Sequence, residues 1–138
     1  MIVPNLLVQD MPRSVAFYRD VLGMQVAMSV DADRGYSERE LRERAVFVAL
    51  EWEGAQLMLQ TRESLADELP HFAGAGAPSP WGTVYFRGFD PAKVAERVPD
   101  EARVKGPEVT WYGMSELTLR DPDGHIVTLA HPSGDWTG

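Results

Sequence analysis

One pattern occurs twice in this chain, and it constrains the fold more than anything else in it. An aspartate leads into a proline-started helix with a valine–alanine step, first as Asp10 followed by Pro12-Arg-Ser-Val15-Ala16, then as Asp90 followed by Pro91-Ala-Lys-Val94-Ala95. Aspartate caps free helix-start amides and proline suits a first turn, so each copy predicts a helix start. Residues 2–8 read as a strand before the first helix. That helix carries Val15, Tyr18 and Leu22 on one stripe, widened by Phe17 and Val21, and Gly23 ends it. Strands are expected at 25–30, 45–51 and 55–60, with Glu53-Gly54 as the hairpin turn of the last two. The polar stretch 31–44 reads as a loop or at most a short exposed helix, and a helical piece is expected at 62–69.

The second half repeats this order. A strand at 83–87 precedes a helix over 91–98, and strands are expected at about 107–112, 115–120 and 125–130. Asp121-Pro122-Asp123-Gly124 is the turn between the last two. A shared order of strand, helix and three strands marks a repeat. The expected class is α+β, with modules at 1–69 and 82–138, a Gly/Ala/Pro-rich linker at 70–81, and one structural domain formed by both.

Composition excludes several functions. There is no cysteine, so disulfides and thiolate chemistry are out. No apolar run reaches about 18 residues, which argues against a membrane span. The N-terminus has no basic lead or cleavage pattern, so a cytoplasmic location is expected. The formal charge of −8 repels nucleic acid and anionic membranes; it serves solubility or draws cationic ligands. The chain has no phosphate loop, no HExxH, no nucleophile elbow and no Ser-His-Asp set arguable from spacing.

Two stretches carry a family resemblance. Asp10-Met-Pro-Arg-Ser14-Val-Ala-Phe17-Tyr18-Arg-Asp-Val-Leu22-Gly23 is similar to the first helix of the vicinal-oxygen-chelate superfamily, and Leu119-Arg-Asp121-Pro122-Asp123-Gly124-His-Ile-Val is similar to its final hairpin. This group includes glyoxalase I, extradiol dioxygenases and bleomycin-binding proteins. The resemblance implies two βαβββ modules forming a curled mixed sheet around an open cup, helices on the outer face, and a homodimer. It also implies a divalent metal held by four side chains. Those positions fall here on Val3, Met58, Thr83 and Thr128. Hard divalent ions need carboxylate or imidazole donors, so no metal and no cofactor are expected. His71, His125 and His131 are expected to be exposed or turn residues, and Glu51 and Glu53 solvated rim carboxylates.

Strand alternation assigns faces. Leu6, Val8, Leu57, Leu59, Val84, Phe86, Val127 and Leu129 should pack against the helices. Val3, Asn5, Leu7, Gln56, Met58, Gln60, Thr83, Tyr85, Arg87, Ile126, Thr128 and Ala130 should face the cup. Phe47 and Glu51 share one face of their strand. Trp81, Trp111, Tyr112 and Met114 are expected near the rim. The expected ligand-binding set is Asn5, Phe47, Met58, Gln60, Trp81, Tyr85, Trp111, Met114 and Thr128. Aromatic, thioether and amide groups together suit a planar organic ligand. The residues could instead fill a collapsed cup or a dimer interface. The expected function is a metal-free binding protein that sequesters a bulky aromatic natural product or antibiotic, as bleomycin-resistance proteins do. The alternative is a lyase, isomerase or dioxygenase, either metal-dependent or using Glu51, Glu116 or Tyr85 as acid or base.

Overall fold

A computed structural model of the protein describes residues 2–69 and 83–134. The chain forms two compact units, Met1–Ala77 and Pro78–Gly138. The first contains β1 (Asn5–Val8), α1 (Met11–Ala16), β2 (Gln25–Asp31), β3 (Tyr36–Glu38), β4 (Ala45–Trp52), β5 (Ala55–Thr61) and α2 (Arg62–Glu68). The second contains β6 (Thr83–Arg87), α3 (Pro91–Ala95), β7 (Arg103–Val109), β8 (Met114–Arg120) and β9 (Ile126–Pro132). The five-stranded sheet runs β1-β5-β4-β2-β3 and the four-stranded sheet β6-β9-β8-β7. In each, the first strand lies parallel to the last, β1 on β5 and β6 on β9, while the remaining pairs are antiparallel. Both sheets are mixed and open, with few helices: the fold is α+β.

The repeated helix start is built as the pattern requires. The Asp10 carboxylate accepts from the Arg13 amide at 3.0 Å. Asp90 does the same for Ala92 and Lys93, at 3.1 and 3.4 Å. Beyond Ala16 the first helix widens into a π turn over Phe17–Val21. Gly23, at φ 80, then lets the chain turn back, with its amide on Arg19 and that of Met24 on Tyr18. The Asp121 carboxylate organises the other motif, accepting from Asp123 and His125 amides at 2.9 and 2.8 Å. Gly124 takes φ 89 there.

The helix-facing side of each sheet forms a core. Val48, Leu50, Leu57 and Leu59 are fully buried in the first unit, with Val15 and Tyr18 of the first helix. Leu117, Leu119, Val127 and Leu129 are fully buried in the second, where α3 packs on β7, β8 and β9.

Four expectations need correction. The first strand starts at Asn5, not residue 2. The polar stretch 31–44 is neither plain loop nor helix: it contains β3, paired to β2. A polar tether fixes it, since Arg42 binds Asp31 at 2.8 Å and Ser37 at 2.9 Å, while buried Ser29 holds the Glu40 carbonyl at 2.7 Å. Helix α3 ends at Ala95, short of the expected 98, and passes into a turn. The strand expected at 107–112 is Arg103–Val109, and Thr110 to Gly113 form the turn into β8. The linker at 70–81 lies outside the described residues.

The tether gives an acid-sensitive element. The hydrogen bond from Arg42, then that from the Gly35 amide, hold the Asp31 carboxyl below its ordinary 3.8. A depressed carboxyl stabilises the fold above its unfolded value and loses that contribution as pH falls through the folded one, here below 3.8. Asp31→Asn should remove this component: exchange of the Gly35 amide should be faster at neutral pH and lose its acid-dependent rise. An unchanged acid profile would show that Asp31 does not hold the loop.

Candidate functional site

On the side of the first sheet opposite the core, register assembles a row. Met58 lies between Asn5 and Ala49, and Ala49 faces Met28; Gln60 lies between Leu7 and Phe47, and Phe47 faces Val30. Directly paired residues share a face, so Asn5, Met58, Gln60 and Phe47 come together. Gln60 is 2% exposed, and its amide is committed. It accepts from Asn5 at 2.9 Å and donates to Ser64 of α2 at 3.0 Å. It therefore ties β1 to the start of α2. An open groove of about 400 Å³ lies on this side, floored by Met28, Val30 and Phe47 and bounded by Ser64, Asp67 and Glu68. Glu51 is ion-paired with Arg39.

The second sheet carries a tighter polar cluster on its corresponding face. Tyr85 pairs with Thr128, and Thr128 with Thr118; one step along, Ala130 pairs with Glu116. The strand between β6 and β8 presents only Thr128 and Ala130 at this point. These small residues let Tyr85 reach across β9 to Glu116, at 2.5 Å. Tyr112, from the turn before β8, donates to the same carboxylate at 2.7 and 2.8 Å. Thr118 and Thr128 share a hydroxyl hydrogen bond of 3.1 Å. The Arg87 guanidinium stands 6.0 Å over the Tyr85 ring, and Lys105 is paired with Glu108 at 2.8 Å.

Partial burial, then the hydrogen bond to Glu116, push the Tyr85 phenol up to about 12. For Tyr112 the Glu116 hydrogen bond acts first and burial second, again raising the phenol. Both phenols therefore remain donors through the neutral range. Yet the rings are not hidden: Tyr85 is 43% exposed, Tyr112 39% and Trp111 84%. Trp111 meets Tyr112 edge to face with centroids 5.3 Å apart.

The expected site residues divide accordingly. Asn5, Phe47, Met58 and Gln60 share a face in the first unit. Tyr85 and Thr128 are neighbours in the second; Met114, paired with Pro132, lies farther along β8, and Trp111 sits beside Tyr112. Trp81 and His71 lie outside the described residues. Thr128 is 8% exposed, so it serves more as floor than as anchor. Individually, Tyr85, Tyr112 and Glu116 are visible in the sequence as cup or acid/base candidates, but their union in one cluster is not.

A divalent metal does not fit the four implied positions. The four implied positions supply a hydrocarbon, a thioether and two hydroxyls, and the Thr128 hydroxyl is already shared with Thr118. Among the described residues no three His, Asp or Glu side chains are grouped to hold an ion. Among them, too, no helix is long and apolar enough to cross a membrane.

A family model described as the Glyoxalase/Bleomycin resistance protein/Dioxygenase superfamily matches residues 2–129. No protein of curated function matches the sequence. Several solved structures share the fold. One is a glyoxalase/bleomycin resistance protein/dioxygenase family enzyme from Burkholderia phytofirmans, 20% identical, with TM-score 0.67 over 94% of this chain and 96% of that one. A glyoxalase/bleomycin resistance protein/dioxygenase from Nocardioides is 18% identical, with TM-score 0.66 over 100% and 87%. A lactoylglutathione lyase from Agrobacterium tumefaciens is 19% identical, with TM-score 0.60 over 95% and 92%.

Proposed function

The chain belongs to the glyoxalase/bleomycin resistance protein/dioxygenase superfamily, and on that premise we propose that it is a metal-free binding protein that sequesters a bulky aromatic natural product or antibiotic. It acts in the cytoplasm as a homodimer, and protection comes from mass action, with the compound occupied rather than destroyed. The observation that carries this reading is the aromatic surface kept in water beside a replaced donor set. Tyr85 is paired with Thr128, which stands at an implied metal-ligand position, and it is 43% exposed; Tyr112, which shares Glu116 with it, is 39% exposed, and Trp111 beside Tyr112 is 84% exposed. Exposed aromatic faces with a few polar groups favour a planar organic guest.

The competing reading is an acid/base enzyme, and Glu116 is the residue that supports it. The other two candidates suit it less. Glu51 is engaged by Arg39, and a phenol that titrates at about 12 is no base at neutral pH.

Thermal-shift screening against aromatic antibiotics tests the proposal. A ligand at a hundredfold excess over its Kd adds about 2.7 kcal/mol of stability, a rise of several degrees in Tm for a domain of this size. Tyr85→Ala and Trp111→Ala should each reduce the rise. The compound should be recovered intact by mass spectrometry; steady conversion over time would replace sequestration with catalysis.

A further inference from the structure

The chemistry of the Tyr85–Glu116–Tyr112 cluster says more about its guest. We propose that this cluster recognises an organic cation, an ammonium or amidinium group carried on an aromatic body. The inference rests on the ligand-binding reading above and narrows it to one charge class.

An ionised carboxylate can only accept hydrogen bonds, so in each contact with Glu116 the phenol must be the donor. Tyr85 gives its hydrogen to Oε2, and the Tyr112 hydroxyl lies within reach of both oxygens. With both phenolic hydrogens committed to the carboxylate, each phenol oxygen keeps only lone pairs for a guest. The carboxylate likewise has only lone pairs to offer. The cluster is thus a patch of acceptors set among aromatic rings, and it reads N–H donors. A carbonyl or a carboxylate would meet lone pair against lone pair.

The surroundings favour a cation over a neutral donor. Rings present negative faces to positive charge, and the protein already uses one of them: Arg87 stands over Tyr85. Lys105, a second cation near the cluster, has its ammonium paired with Glu108 at 2.8 Å. The Tyr112 ring and the more exposed Trp111 beside it form the aromatic wall for a guest's flat body. The net charge of −8 steers cations toward the protein and anions away.

Three probes of one shape test this by calorimetry: 1-(aminomethyl)naphthalene, 1-naphthalenemethanol and 1-naphthaleneacetate. The ammonium should bind about tenfold more tightly than the alcohol, consistent with a charge-assisted hydrogen bond. The acetate should bind more weakly than either. Added salt should erode the preference. Glu116→Gln should remove most of it, and Tyr85→Phe, which keeps the ring, should remove part. Ultraviolet titration of Glu116→Gln checks the geometry independently: the Tyr85 phenol should titrate below about 12, yet still above its ordinary value, because burial remains. Equal binding of ammonium and alcohol, both lost in Tyr85→Ala, would overturn the cation assignment and leave the ligand-binding reading standing. Tighter binding of the acetate, or a preference intact in Glu116→Gln, would also overturn the assignment. No binding of any probe would count against both.

Discussion

Gly106→Ala should lower Tm by about 10 °C, corresponding to a loss of roughly 3 kcal/mol. Two separate effects combine at this position. Gly106 has φ 92, a conformation that side-chain-bearing residues rarely adopt. In addition, a Cβ there would stand 2.5 Å from the Glu116 carbonyl oxygen and 3.2 Å from the Glu108 amide nitrogen. Backbone cannot swing aside as a side chain can, so β7 must move away from β8 exactly where Glu116 is held. Gly124→Ala is the matched control. Gly124 also has positive φ, 89, but nothing lies within 4 Å of its added Cβ. It should cost only the conformational share, about 1 kcal/mol. Calorimetry on both variants separates strain from collision, and equal losses would show that the close approach of β7 to β8 is unimportant. Gly106→Ala should also weaken ligand binding at the tyrosine cluster, whereas Gly124→Ala should not.

Leu129→Ala should destabilise the protein by about 2–5 kcal/mol, because it removes a fully enclosed side chain from a strand paired on both sides. Leu129 pairs with Phe86 on β6 and Leu117 on β8, so the void opens in the middle of the second unit's core. Tyr85→Phe, on the opposite face, deletes only an exposed hydroxyl contact and should cost less than about 1 kcal/mol. Denaturant titration of the pair measures how strongly the two faces differ. A Leu129→Ala loss no larger than that of Tyr85→Phe would mean that the core side has been misassigned.

Much of this architecture is legible from local chemistry. Asp10 with Pro12, Asp90 with Pro91, and Asp121 through Gly124 each act within four residues, so their bonds follow from spacing alone. Alternation places Leu57, Leu59, Val127 and Leu129 on the core side, where all four are fully buried. It does less well on β1, where Val8 is buried as expected but Leu7 of the other face is buried too and Leu6 is only half-buried. An edge strand has neighbours on one side only, so burial there depends on what covers it. β7 is expected too late, at 107–112, because Arg103–Val109 carries Gly106, Pro107 and three charged residues, which mask the start of the strand. β3 escapes for a similar reason: it is short, polar and held by Arg42 rather than by apolar burial. The tyrosine cluster is hidden for a different cause. Tyr85 and Glu116 are 31 positions apart and sit on strands separated by β9, so their meeting depends on strand order and on small residues between them.

The parallel pairing of β1 with β5 also bears on how the chain is made. Asn5 and Gln60, joined in the finished sheet, are 55 positions apart. At about 5–20 residues per second, a ribosome needs roughly 3–11 s to deliver the second after the first. During that interval the nascent segment Asn5-Leu-Leu-Val lacks its strand partner, and its leucines are available to chaperones or to other unfinished chains. Yield in the cell should therefore respond to translation speed across the codons for residues 9–55 more than to speed after β5 has emerged.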